Sequence, residues 1–143
     1  MADVALFTGE QIYALIPQRE PMVMLDAFFE GNDTEAHTGL TVRADHLFCV
    51  NGLLTEPGLI EHIAQSASAL AGYKAYRRQV TAPVGFLGEV KKLHIYRLPA
   101  TGEQLQTSVH VLSEVLKISL VTAEVKSGDE TIVTCQMKIF IEK

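Results

Sequence analysis

TEPGLIEHIAQSASALAGYKAYRR, residues Thr55 to Arg78, is the only long segment of the chain that is at once helical in pattern and apolar on most of its faces. Pro57 suits a first helical turn, where no peptide N–H is needed, and Thr55 or Glu56 offers a capping oxygen. Ile60, Ile63, Ala64, Ala67, Leu70 and Ala71 recur at spacings of three and four, which predicts a packed helical face. Small residues, Ser66, Ser68, Ala69 and Gly72, occupy the rest of the surface, so a neighbour can approach closely all round, as a sheet would. One carboxylate, Glu61, stands in the first turns of this sheltered helix, with Gln65 one turn on along the same face.

The segments on either side read as strands. Upstream, Thr8-Gly9-Glu10-Gln11 has the form of a capping box that opens a short lid helix with Ile12, Leu15 and Ile16 on its apolar side and Pro17 as its stop. Pro21 introduces MVMLDAFFE, apolar on both alternating faces apart from Asp26, and Gly31-Asn32-Asp33 turns the chain into a return strand through Ala36, Thr38, Leu40 and Val42. That alternation places His37 toward water. Residues 44–56 form a connection with an apolar patch, Leu47-Phe48-Cys49-Val50, before the turn pair Asn51-Gly52. Downstream, VGFLGEVKKLHIYRL is extended with a change of phase near Lys91-Lys92, the mark of a bulge. Pro99 to Gly102 turns it into Leu105, Thr107, Val109 and Val111, which leaves His110 outward. The last two runs, Leu116 to Lys126 and Glu130 to Ile141, are joined at Ser127-Gly128-Asp129, and Val133, Cys135, Met137, Ile139 and Ile141 give the clearest period of two. The class is α+β, an antiparallel sheet with one helix on its concave face.

Composition narrows the function. A chain of 143 residues, 48% hydrophobic and 20% charged, is expected to be one domain over residues 1–143. A formal net charge of -5 without a basic run argues against nucleic acid. No signal peptide or spanning segment is written at the start or elsewhere, so a cytoplasmic protein is expected. Cys49 and Cys135 lack CxxC spacing and read as reduced thiols. There is no glycine-rich phosphate loop, GxSxG elbow, HExxH or paired-cysteine zinc pattern, and no cofactor is expected.

IPQREPMVMLD resembles the amino-terminal signature of β-hydroxyacyl-acyl-carrier-protein dehydratases, and EPGLIEHIAQSASALAG resembles their central-helix signature. GFLGEVKKLHIYRLPATGEQL is similar to the long strand and turn that follow in the same family. The similarity spans roughly residues 12–111, with the elements in the family's order. The resemblance implies the hotdog fold, a curved antiparallel sheet wrapped round the central helix, and a dimer, expected first as a homodimer, whose sheets join edge to edge. It also implies a reaction on 3-hydroxyacyl thioesters carried by acyl carrier protein or coenzyme A, as in fatty-acid or polyketide-type biosynthesis. In that family a loop histidine removes the α-proton, a helix carboxylate protonates the leaving hydroxyl, and peptide N–H groups at the helix start stabilise the thioester oxygen.

Glu61 carries over as the general acid, followed by Ala64-Gln65 as in the motif. The histidine does not: the family spacing lands on Leu47, beside Phe48, with Cys49 and Val50 following. The sequence is closer to a divergent branch with an Asn-Gly pair, here Asn51-Gly52, and no loop histidine. His46 is the alternative base, although a shift of one residue in an extended segment turns a side chain to the opposite side. By the same resemblance Leu47, Phe48, Cys49, Asn51, Gly58, Leu59, Gln65 and Phe86 are expected to bind substrate, with the Leu47–Val50 loop and Phe86 lining an acyl tunnel. His62 projects about 100° round the helix from Glu61 and reads as structural. Lys74, Arg77 and Arg78 suit the helix carboxyl end, and with Lys91, Lys92 and Arg97 they offer a basic patch for an acidic carrier protein. Three functions stay open: a dehydratase, a hotdog thioesterase using Glu61, and a partner subunit in a heterodimer with a histidine-bearing hotdog chain.

Overall fold

A computed structural model describes residues 4–142; residues 1–3 and Lys143, the ends of the expected domain, lie outside the described residues. Strand β1 (Phe7–Thr8) leads into a 3-10 turn (Gly9–Ala14), then β2 (Ala27–Gly31), β3 (Glu35–Thr41) and a two-rung hairpin of β4 (Cys49–Val50) and β5 (Leu53–Leu54). Helix α1 (Glu56–Arg78) follows, and then four long strands: β6 (Val84–Ile95), β7 (Gln104–Val115), β8 (Ile118–Ser127) and β9 (Glu130–Glu142). Seven strands form one antiparallel sheet in the order β1-β2-β3-β7-β8-β9-β6. The α+β class and the helix on the sheet are as the sequence implies.

Alternation explains the sheet. Leu105, Thr107 and Val109 on β7, Val121, Ala123 and Val125 on β8, and Val133, Cys135 and Met137 on β9 are all buried, and apart from Ile132 the residues that flank them on the same strands are not. The phase change expected near Lys91-Lys92 is a register shift between Lys91 and His94, with Lys92 at φ 51. Asn51 (φ 52) and Gly52 (φ 80) make the hairpin turn between β4 and β5, where left-handed conformations are needed at both positions.

Two local expectations are corrected. Within MVMLDAFFE only the segment from Ala27 onward is strand. Residues 22–24 instead give backbone groups to α1: the Met24 N–H donates to Gln65 Oε1 and the Met22 carbonyl accepts from Gln65 Nε2, each at 2.7 Å. Thr55 does not cap α1, because its hydroxyl donates to the Phe48 carbonyl at 2.7 Å, so no side chain closes the first turn. The short lid helix opens at the expected capping box, with the Thr8 N–H donating to Gln11 Oε1 at 2.9 Å, and its geometry is 3-10.

The helix is also rotated from the expected orientation. Its core side carries Gly58, Leu59, His62, Ile63, Gln65, Ser66, Ala69, Leu70, Gly72 and Ala75, whereas Ile60, Ala64, Ala67 and Ala71 are half-buried. Polar residues face inward because partners wait for them: Ser66 Oγ shares a 2.8 Å hydrogen bond with Thr38 Oγ1. His62, fully buried, contacts the Met24 carbonyl through Nδ1 and Thr107 Oγ1 through Nε2, both at 2.7 Å. Gly72 has no room for a side chain, since a Cβ there would come within 1.9 Å of the Leu15 carbonyl oxygen. The amino-terminal segment therefore lies directly on the helix backbone.

Candidate active site

Glu61 lies half-buried on α1 where the helix leaves the core, and Gln65, one turn on, holds it. Gln65 Nε2 donates to Glu61 Oε2 at 2.7 Å, and the amide is itself fixed by Met22 and Met24. This three-way clamp fixes one carboxylate oxygen and leaves the other without a partner among the described residues. Glu61 borders a cleft of about 160 Å³ between α1 and the concave face of the sheet. On the helix the wall is Ala64, Ala67, Ser68 and Ala71; on the sheet it is Leu87, Val111, Val121, Ile139 and Ile141. The apolar face that the periodicity marks on α1 is thus partly the wall of this cleft. Small helix residues line one side and mostly apolar strand residues the other, and Lys74 and Glu114 also border it. A wider depression of about 540 Å³ lies among strand residues such as Phe29, His37, Gln106 and Lys126, with no helix residue in it.

The predicted site residues separate into groups. Only Glu61 borders the cleft directly, with Gln65 behind it. Gly58 and Leu59 are buried at the helix start, where a Cβ on Gly58 would lie 2.8 Å from Phe48 Cβ, so Phe48 packs on that turn. Leu47 and Val50 are exposed, and Cys49 and Asn51 sit in the β4–β5 hairpin; within one chain this loop does not line the cleft. Phe86 does not line it either. Its register partner is Phe140, while the flanking pairs Gly85–Ile141 and Leu87–Ile139 face the cleft, so Phe86 is on the opposite face and half exposed.

Neither nearby histidine reaches Glu61. His46 is buried in a separate pocket with Asp26, Glu20 and Arg43, and its Nδ1 accepts the Arg43 N–H at 3.1 Å. Burial, and then the neighbouring Arg43, lowers its pKa, while burial raises that of Asp26 against the hydrogen bond from the Thr41 N–H. His62 has both ring nitrogens engaged, and burial pulls its pKa down to about 4. His37 and His110 are half-exposed beside Glu30 and Glu35 on the sheet. No histidine among the described residues borders the cleft.

The basic patch is smaller than the sequence suggests. Arg97 is held by Glu103 at 2.7 Å and Glu130 at 3.0 Å, and the Arg97 bond to Glu103, with those from the Ala100 N–H and Ser127, depresses the Glu103 pKa to about 2. Lys91 pairs with Glu89 at 3.5 Å, and Lys74 Nζ donates to the Asp33 carbonyl. Both thiols are free; burial raises that of Cys49 and pushes that of Cys135 up to about 11. No group of three or more metal-ligating side chains occurs among the described residues, and no helix is long and apolar enough to cross a membrane.

The structure adds cleft residues that periodicity did not single out: Gln18, Ser68, Glu114 and Ser119. Gln18 stands inside IPQREPMVMLD, but nothing in the local pattern shows that its side chain turns toward α1.

Comparison with known proteins agrees with this fold. Residues 10–143 match the ApeP-like family, described as ApeP dehydratase. No curated protein sequence matches significantly. A chain of the dehydratase heterocomplex ApeI:P from Xenorhabdus doucetiae superposes with a TM-score of 0.86 at 20% identity, over 92% of this chain and 91% of that chain. The E. coli PaaI protein of the phenylacetic acid degradation operon gives 0.64 at 12% identity, over 79% and 80%. A hypothetical thioesterase with coenzyme A from Streptococcus pneumoniae gives 0.64 at 7% identity, over 80% and 83%. These structures share the fold, a long central helix wrapped by an antiparallel sheet. With the family match covering nearly its whole length, the chain belongs to the ApeP-like dehydratases, a divergent hotdog-fold family.

Proposed function

We propose that this chain is the carboxylate-bearing half of a two-subunit dehydratase acting on 3-hydroxyacyl thioesters. One observation carries the reading: Glu61 is clamped by Gln65 at the mouth of an apolar cleft that no histidine shares. In the reaction, a base from the partner subunit takes the α-proton and the electron pair forms the double bond. The bond from the β-carbon to its hydroxyl breaks, and that hydroxyl leaves as water with the proton supplied by Glu61. The uncapped first turn of α1 presents peptide N–H groups to the thioester oxygen. The thiol is that of an acyl carrier protein or of coenzyme A.

The edge strand β6 suits such an assembly. It pairs with β9 on one side only and exposes Val84, Phe86 and Leu87. A long, apolar, unpaired edge is a template for a second sheet. A partner joined there brings its own loop over the cleft, and the exposed Leu47 and Val50 of this chain lie over the partner's. The Xenorhabdus relative is part of a heterocomplex, which supports a second hotdog subunit of a different sequence.

The test mixes the purified protein with a histidine-bearing hotdog subunit and follows enoyl-thioester absorbance alongside sedimentation. A one-to-one complex whose rate exceeds the sum of the separate rates by about 10²-fold or more is expected, the size of a general-base contribution. Rates that merely add, or chains that sediment separately, contradict the proposal. Thioester hydrolysis without enoyl formation indicates a thioesterase instead.

A further inference from the structure

A second pocket, of about 330 Å³ and within the size range of small-molecule sites, shares no residue with the Glu61 cleft. Val23, Leu25 and Leu40, all buried, supply its apolar part, and Asp26 and His46 are its sheltered polar groups. Each of the two is pinned. The Asp26 N–H donates to the Gly39 carbonyl and its carbonyl accepts from the Gly9 N–H, while Oδ2 accepts from the Thr41 N–H at 2.8 Å. The His46 N–H donates to the Arg43 carbonyl, its carbonyl accepts from the Cys49 N–H, and Nδ1 accepts from the Arg43 N–H at 3.1 Å.

These bonds occupy one side of each group and leave the other free. With Nδ1 accepting, the neutral ring carries its proton on Nε2, and burial favours that neutral form. The residue is 6% exposed, and its Nε2 has no hydrogen-bond partner among the described residues. Neither has Asp26 Oδ1. Both atoms can still be reached, because Gln18 Oε1 is the one sealed side-chain nitrogen or oxygen without a partner among the described residues. The two groups influence each other electrostatically yet stand beyond ion-pair distance, so a gap separates a fixed donor from a fixed acceptor.

Charge chooses the occupant. Glu20 and Asp45 already face Arg43 at 3.8 and 3.1 Å, and the Asp26 carboxylate, with Glu10 beside it, repels an anion. An ammonium gains from these carboxylates, but it sets its own N–H groups against the Nε2–H and leaves that donor unpaired. A neutral group that donates and accepts at once satisfies both sides of the gap. We propose that this pocket binds a small neutral ligand whose polar head donates to Asp26 Oδ1 and accepts from His46 Nε2, as an amide does, with its apolar body on Val23, Leu25 and Leu40.

Isobutyramide, isobutyrate and isobutylammonium put three heads on one body. Each is titrated into the full chain at neutral pH while the nitrogen-15 and proton signals of the His46 ring are followed by NMR, which places binding at this pocket and reads the tautomer directly. The free ring is expected in the Nε2–H form. Isobutyramide is expected to shift Nε2 with a Kd about tenfold below those of the two ions, the effect of one well-made hydrogen bond. Asp26→Asn keeps the bond from the Thr41 N–H through its new carbonyl and turns the free acceptor into a donor, so isobutyrate becomes the tightest of the three. A general loss of fold does not reverse an order of affinities. An Nδ1–H ring, equal Kd values for the three, an ion as the tightest ligand of the wild type, or no shift of Nε2 at about 0.1 M isobutyramide overturns the proposal. So does an order that Asp26→Asn leaves unchanged.

Discussion

Glu61→Gln is expected to lower enoyl formation by the two-subunit complex about 10²–10⁴-fold, the range for removing a positioned acid or base. The substitution preserves shape, and the Gln65 amide can still donate to the new side-chain carbonyl, so the clamp seen at 2.7 Å persists in the variant. The variant loses the ionisable proton that accompanies the departing hydroxyl. The effect therefore falls on the chemical step: kcat drops while binding of the acyl-pantetheine, read by calorimetry, changes little. A complex carrying Glu61→Gln that keeps wild-type turnover removes the catalytic reading of Glu61.

The second large effect is on stability. His62→Ala removes a fully buried side chain that holds the Met24 carbonyl and the Thr107 hydroxyl at 2.7 Å each, and so leaves a cavity and two unpaired polar groups in the core. A loss of about 3–5 kcal/mol in unfolding free energy is expected from the cavity and the lost bonds together. The effect depends on pH with a defined sign. The folded-state pKa of His62 is about 4, below the ordinary value of 6.5, so the unfolded chain binds a proton first. The stability due to keeping this imidazole neutral is complete above pH 6.5, declines as the pH falls from there, and is lost by about pH 4. Taken over the whole window, this is roughly 3 kcal/mol as an upper value. Denaturant titrations of wild type and His62→Ala at neutral pH and near the lower end of the window check it: the gap between them narrows on acidification. A gap that stays constant would show that His62 is not the titrating group.

The sequence reads most clearly where a repeating pattern meets a repeating environment. The rows on β7, β8 and β9 alternate, apart from the adjacent buried pair Ile132-Val133, because one side of each strand faces the core, and α1 ends where Gln79 turns left-handed at φ 58. The orientation of α1 is less legible. His62, Gln65 and Ser66 face the core because Met22, Met24, Thr38 and Thr107 supply hydrogen bonds across long stretches of sequence, and no local period encodes such partners. The apolar periodicity of Ala64, Ala67 and Ala71 was real, but it marks the wall of a cleft as well as packing. Phe86 was misplaced for a similar reason: in a strand with apolar residues on both sides, only pairing with Phe140 fixes which side is which. Gln18 was invisible locally because its place beside the cleft depends on a fold-back onto Gly72.

The central claim is that this chain contributes the acid and not the base. It is tested most directly by the enoyl-forming rate of the purified chain alone, per Glu61, against that of the complex under the same conditions. The account predicts a rate lower by about 10²–10⁴-fold, independent of His46→Gln. A lone chain that turns over at the rate of the complex, and loses that rate with His46→Gln, would contradict the account and assign the base to His46.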